Sequence, residues 1–241
     1  MEGVRSLELD GLELDLDPGC AAAGPRVIAA ILGLAESAVR RLHEIRRERA
    51  LSSVAALGRL RGTGRGVHFG SFIDDLEREM PLELQSPFEQ SDRVAGAAWP
   101  AIPSPTSGGC CALAKLRWGP GADDLPMHVH DSDRFIIVHS GRGFFHVSGQ
   151  PVDAFDGNDV RSIPARERDV FVFTRGTVHT FSTAEQPMTL LSCQLPFVPF
   201  SHPRQYRLPR VRWTARGTPD RQPARVACDP AWTCIAAVGS A

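Results

Sequence analysis

The chain has 241 residues, 42% of them hydrophobic, enough for one large globular domain or for one domain with a long extension. Its 27 basic and 28 acidic residues leave a formal net charge of -1, so the overall balance points to neither nucleic acid nor an anionic membrane as partner. No apolar run approaches the ~20 residues that cross a bilayer, and the acidic N-terminus lacks the basic and apolar regions of a secretory signal.

In chain order, Leu7, Leu9, Leu12, Leu14 and Leu16 are spaced partly as a strand, either an edge strand or an unstructured arm. From Arg26 to about Arg49 the residues Ile28, Ile31, Ala35, Ala38, Val39, Leu42 and Ile45 recur at three- and four-residue steps, which predicts an amphipathic helix. Arg40, Arg41, Arg46, Arg47 and Arg49 fall on its other face and last turn, where positive charge complements the helix dipole. Glu36, Glu44 and Glu48 are interspersed and no aromatic residue interleaves, so this face reads as solvated rather than as a nucleic-acid contact.

Ser52 or Ser53 could cap a second short helix running through Leu60. Gly62, Gly64, Gly66 and Gly70 lack the flanking strand and lysine of a phosphate loop and read as a flexible connection. A short helix is expected over Phe72 to Met80, and the Pro, Ser and Gly content of residues 99–109 marks a linker.

Strands follow. They are expected at Ala112 to Trp118, at Phe135 to His139 and Phe144 to Ser148 as a hairpin about Gly141 and Gly143, and at Val170 to Phe173, His179 to Ser182 and Met188 to Gln194. Short strands at this spacing build a closed or two-sheet β-barrel. The basic, proline-containing tail from Pro199 onward either wraps that barrel as an extended arm, packing in part through Trp213, Trp232 and residues 234–238, or is disordered. Six cysteines without a C-x-x-C pair fit reduced thiols, and Cys110 and Cys111 read as small apolar residues opening a strand.

The chemistry concentrates between Gly121 and Gly143. His128 and His130 are two residues apart, so on an extended backbone both imidazoles leave the same face, a metal-ligand geometry. Downstream, residues 168–181 form an alternating strand, a turn at Gly176 and a second strand entered by His179.

These two stretches resemble the two motifs of the cupin family, with a glycine at Gly121, the His128-x-His130 pair, Gly141, and a second motif carrying His179 after Gly176. Four positions depart from the pattern, the first being the opening glycine, which lies one residue further away than usual at Gly121. Arg134 stands where most metal-binding cupins carry a glutamate ligand, and Arg168 and Thr174 stand where the second motif has glycine and proline. A guanidinium has five donors and no acceptor, so Arg134 cannot ligate a cation. Strand alternation aims Asp133 the other way.

The resemblance implies a mainly β, cupin-type jelly-roll barrel over residues 108–198, preceded by a partly helical region with its linker over 1–107 and followed by an extended tail over 199–241. It implies a three-histidine metal site of His128, His130 and His179 for one divalent first-row metal, Fe(II) first and Zn, Mn, Ni or Cu as alternatives. Arg134 beside that metal calls for an anion between the two cations, a substrate carboxylate. Strand parity adds Ile136, Val138, Val172, Phe181 and one of Phe144 and Phe145 as an apolar lining for a small molecule.

The function so implied is a metal-dependent cytoplasmic homodimer acting on a small organic acid, first of all as a three-histidine Fe(II) dioxygenase. The alternatives are a non-catalytic cupin that senses an anionic metabolite and regulates a partner, and a metal-dependent isomerase or hydrolase. His139 is expected to face outward and His146 to be an ordinary surface histidine. His43, His68 and His202 have no evident partners in the sequence.

Overall fold

A computed structural model describes residues 11–16, 25–62, 86–104, 106–199 and 202–216. Its one long helix, α1 (Pro25–Glu48), follows the expected apolar stripe. Ile31, Leu32, Ala35, Ala38, Val39, Leu42 and Ile45 are buried, whereas Arg40, Arg41, Arg47 and Arg49 are exposed. Burying each large aliphatic side chain contributes about 1.5–3 kcal/mol, so packing holds the helix more than propensity does.

The described residues form ten strands, one before α1 and nine after it: β1 (Gly11–Leu16), β2 (Ala55–Gly62), β3 (Ser86–Ser91), β4 (Val94–Pro103), β5 (Cys110–Trp118), β6 (Asp133–Ser148), β7 (Arg161–Arg166), β8 (Asp169–Phe173), β9 (Val178–Ser182) and β10 (Met188–Leu195). The first sheet runs β1-β2-β8-β6-β10-β5-β4-β3, and the far half of β6 pairs with β7 and β9 in a second. Every pairing is antiparallel except β1 with β2. The result is the mainly β jelly-roll barrel that the sequence predicts, with α1 laid across one sheet.

The alternation of β6 separates two cores. Phe135 and Ile137 pack outward with Val170, Val172, Leu191 and Cys193 beneath α1. Ile136 and Val138 turn inward to Phe145, Phe171, Phe173, Phe181 and Leu190.

Three local expectations are corrected. Residues 55–60 are part of β2 rather than a second short helix. Ala55 faces the barrel core and Val54 and Ala56 the α1 core, a period of two, and pairing with β8 overrides the helical propensity of alanine and leucine. The linker expected over 99–109 is strand as far as Pro103, since Trp99 is buried within β4 and pairs with Leu113, and residues 106–109 are the turn into β5.

The hairpin expected about Gly141 and Gly143 is one continuous 16-residue strand, β6. The glycines serve close approach there rather than a reversal of the chain. A Cβ on Gly141, whose φ is +78°, would lie 2.0 Å from the Pro187 carbonyl oxygen, and one on Gly143 would lie 2.3 Å from that of Ser182. The helix expected over 72–80, the glycines 64, 66 and 70, Leu7, Leu9, Trp232 and residues 234–238 lie outside the described residues. No helix among the described residues is long and apolar enough to cross a membrane.

Candidate functional site

The His-x-His segment is held on both edges. His128 pairs with His179 at the start of β9 through reciprocal backbone bonds of 3.0 and 2.9 Å. The next residue, Val129, pairs with Arg207 of the C-terminal segment through bonds of 2.9 and 3.0 Å. Alternation then puts Val129 into an apolar cluster with Met127, Phe155, Val178 and Trp213, and both histidines on the opposite side.

Each of the three imidazoles donates its Nδ1–H to a backbone carbonyl. His128 bonds Pro126 and His179 bonds Thr177, both at 2.9 Å, and His130 bonds Gln205 at 2.5 Å. Three carbonyl partners set one tautomer, which leaves three Nε2 lone pairs available. The candidate ligand atoms lie within 4.8 Å of one another. Two nitrogens bound ~2.1 Å from one ion would be roughly 3.0–3.4 Å apart, so small inward rotations would let all three Nε2 atoms hold one ion. Tyr206 stacks on His128 with ring centroids 4.3 Å apart and meets His130 edge-on.

Burial keeps these imidazoles neutral, the state a ligand requires. It pulls His128 down to about 4 and holds His130 and His179 well below their ordinary value, with the positive charge of Arg134 depressing all three further. Arg134 is itself 6% exposed, and burial lowers it to about 9, so it remains a cation at neutral pH. Its Nε has no hydrogen-bond partner. Register explains its position: it sits opposite Phe173 of β8, whose ring lies 4.1 Å from that of His179, and opposite Gln194 of β10.

A family model for the cupin domain matches residues 115–193. Residues 115–193 are a cupin domain. No curated protein matches the chain in sequence. Among solved structures it is similar to oxalate decarboxylase from Bacillus subtilis, at 20% identity over 49% of this chain and 29% of that one with a TM-score of 0.36. A variant of that enzyme covers 48% and 29% at 20% identity and a TM-score of 0.37, and a DMSP lyase covers 41% and 46% at 21% identity and 0.30. The chain spans under a third of the oxalate decarboxylase chains that it matches.

The departures from the cupin pattern have structural counterparts. Asp133 points away from the histidines, as alternation requires, and accepts from His43 of α1 at 2.9 Å and from the Arg175 N–H at 2.8 Å. Thr174, where the pattern has proline, is fully buried and clamps the entry to β2: its N–H donates to the Val54 carbonyl at 3.0 Å, and its Oγ1 accepts from the Val54 N–H at 3.1 Å. Proline could make neither bond. Arg168, in the position of a glycine, adopts a φ of +72° in the turn between β7 and β8.

The lining expected by parity is only partly found. Ile136 and Phe181 face the interior, as does Phe145, while Phe144 is the exposed member of its pair. Val172 does not line the interior: it pairs with Phe135 and packs beneath α1, its neighbours Phe171 and Phe173 being the inward residues of β8. Val138 faces inward but has no accessible surface, four residues along β6 from Arg134 and enclosed among the aromatic side chains.

His146 is a second correction, being buried rather than on the surface. Its Nδ1 and Nε2 lie 2.8 and 2.7 Å from Ser162 and Ser182 Oγ, and its ring packs on Trp213. His43 has the partner Asp133, His202 Nδ1 accepts from the Arg204 N–H, and His68 lies outside the described residues. Sequence reasoning missed Gln194, Gln205 and Tyr206. The one available signal was that Tyr206 is the sole tyrosine, in a tail otherwise rich in arginine and proline.

Proposed function

We propose that this cupin binds one divalent first-row metal through His128, His130 and His179 and acts on a small organic acid whose carboxylate is gripped by Arg134. The supporting observation is the donor set itself: three neutral imidazoles with Nδ1 committed to backbone carbonyls, beside a buried guanidinium whose Nε is unpartnered. An ion held there supplies Lewis acidity and, if it is Fe(II), redox chemistry toward dioxygen.

Three neutral ligands leave the whole metal charge in place. A second cation a few ångströms away in a partly dry interior is repelled by several kcal/mol unless an anion intervenes. Arg134 therefore selects for an acid and orients it through two parallel N–H donors. Ile136 and Phe181 supply apolar contact for the rest of the molecule, which keeps it small.

Within this reading an Fe(II) dioxygenase ranks first, an isomerase or hydrolase next, and the protein is a cytoplasmic homodimer with its site inside the 108–198 unit. Elemental analysis of protein purified without chelator, compared with His128→Ala, tests the metal. Unchanged occupancy in the variant sinks the ligand assignment. Oxygen uptake by Fe(II)-loaded protein with a panel of small acids tests the reaction. Tight acid binding without uptake or consumption replaces the enzyme with a metabolite-sensing module.

A further inference from the structure

The partners of Arg134 narrow the acid further. Arg134 and Gln194 are directly opposed across β6 and β10, on the inward side of both strands. Directly opposed residues hold their Cβ atoms ~4.5–5.5 Å apart. Gln194 is 1% exposed, and its Oε1 has no partner. A buried donor and a buried acceptor on facing residues ordinarily satisfy one another; here Arg134 Nε and Gln194 Oε1 both stay unpartnered.

The orientation of the Gln194 amide is determined by its other end. Nε2 donates to the Val198 carbonyl at 3.1 Å and to Gln205 Oε1 at 2.8 Å. A carbonyl only accepts, so flipping the amide would set oxygen against oxygen, and Oε1 must remain the atom turned away from Val198. Gln205 in turn carries the carbonyl that holds His130, which ties Gln194 to the histidine end of the barrel.

We infer that the acid gripped by Arg134 carries a hydroxyl on the adjoining carbon, so that the substrate class is a 2-hydroxy acid and Gln194 is the residue that recognises the hydroxyl. This rests on Arg134 being the partner of the carboxylate. The two vacant functions call for an acceptor and a donor on one molecule, a few ångströms apart. An ammonium would add a third positive charge beside Arg134 and a metal. The second acid group of a dicarboxylate would lose its proton next to those cations and cease to donate. A hydroxyl donates to Gln194 Oε1 without charge.

The test is isothermal titration of the full-length protein, both chelator-treated and loaded with redox-inactive Zn(II), against glycolate and acetate, lactate and propionate, and 2-hydroxyhexanoate and hexanoate. Leaving a buried acceptor unpaired costs on the order of tenfold in affinity or more. The hydroxy member of at least one pair should bind about tenfold tighter than its parent, in chelator-treated protein as well. Gln194→Met should bring that ratio to within about twofold, and Arg134→Met should weaken both members.

Equal affinities within every pair, with both weakened by Arg134→Met, overturn the hydroxyl inference and leave the acid reading standing. A preference that survives Gln194→Met, or appears only with Zn(II), assigns the hydroxyl to the metal and also overturns it. Acid binding that Arg134→Met does not alter, or no acid binding at all, overturns the acid reading and this inference together.

Discussion

The backbone carbonyl of Gln205 accepts the Nδ1–H of His130, so a candidate metal ligand is oriented by a residue 75 positions away in the C-terminal segment. The same segment pairs Arg207 with Val129, hydrogen-bonds the Trp213 carbonyl to the Met127 N–H, and sets Arg204 and Arg207 on Asp131 at 3.1 and 3.6 Å. It is a structural edge of the site. Truncation after Val198 should lower Zn(II) affinity by about 10–100-fold, the usual effect of removing a partner that orients a ligand. Asp131→Ala, which releases only the two arginines, should lower it a few-fold. Competition with a chromophoric chelator measures both, and full affinity in a folded truncated chain would remove the segment from the site.

Stability of the metal-free protein should fall on acidification. The unfolded imidazole takes up a proton near 6.5, whereas in the fold His128 does so only at about 4 and burial holds His179 well below its ordinary value. Between those values the unfolded chain holds more protons than the native one, so stability is fully present above pH 6.5 and is lost as pH falls toward the folded values. Each of these two buried histidines contributes a slope of about 1.4 kcal/mol per pH unit in that window. Urea titrations from pH 7.5 to 5 measure it, and His128→Phe should shallow the dependence by about one proton.

Thr174→Pro should destabilise the junction of β2 and β8. The substitution removes the N–H that Val54 accepts and the hydroxyl that accepts from Val54, at a site with no solvent access to compensate either group. Two lost bonds with buried partners left unpaired cost about 2–4 kcal/mol. Thr174→Ser retains both and should cost under about 1.5 kcal/mol, chiefly through its lost methyl. The difference in urea midpoint between the two variants is the readout.

The parts of this molecule that could be read from sequence are those governed by local period. The stripe Ile31 to Ile45 specified α1, and the two-residue spacing of His128 and His130 specified their common face, because side-chain direction follows backbone repeat. What the sequence concealed depends on pairing partners. Residues 55–60 look helical until β8 supplies a ladder, and Gly141 and Gly143 look like a turn until the Pro187 and Ser182 carbonyls are seen against them. Val172 was assigned inward by counting along a segment whose register against β6 only the sheet reveals. Gln194, Gln205 and Tyr206 carry no motif and reach the histidines solely through the course of the tail and the pairing of β10 with β6.

Chelation should expose how far the metal and the fold are coupled. Three Nε2 atoms and a nearby buried cation converge on one end of the barrel, so the metal-free site concentrates lone pairs that only an ion can bind at once. A ligand present at a hundred times its dissociation constant stabilises the native state by about 2.7 kcal/mol. EDTA-treated protein should therefore melt several degrees below the same protein resupplied with Zn(II) or Mn(II), with the gap widening as metal concentration rises. In His179→Ala the gap should shrink toward zero while the metal-free melting temperature changes separately, through the lost packing against Phe173. Scanning calorimetry across metal concentrations separates the two effects. A metal-dependent shift that persists undiminished in His179→Ala would place the ion elsewhere.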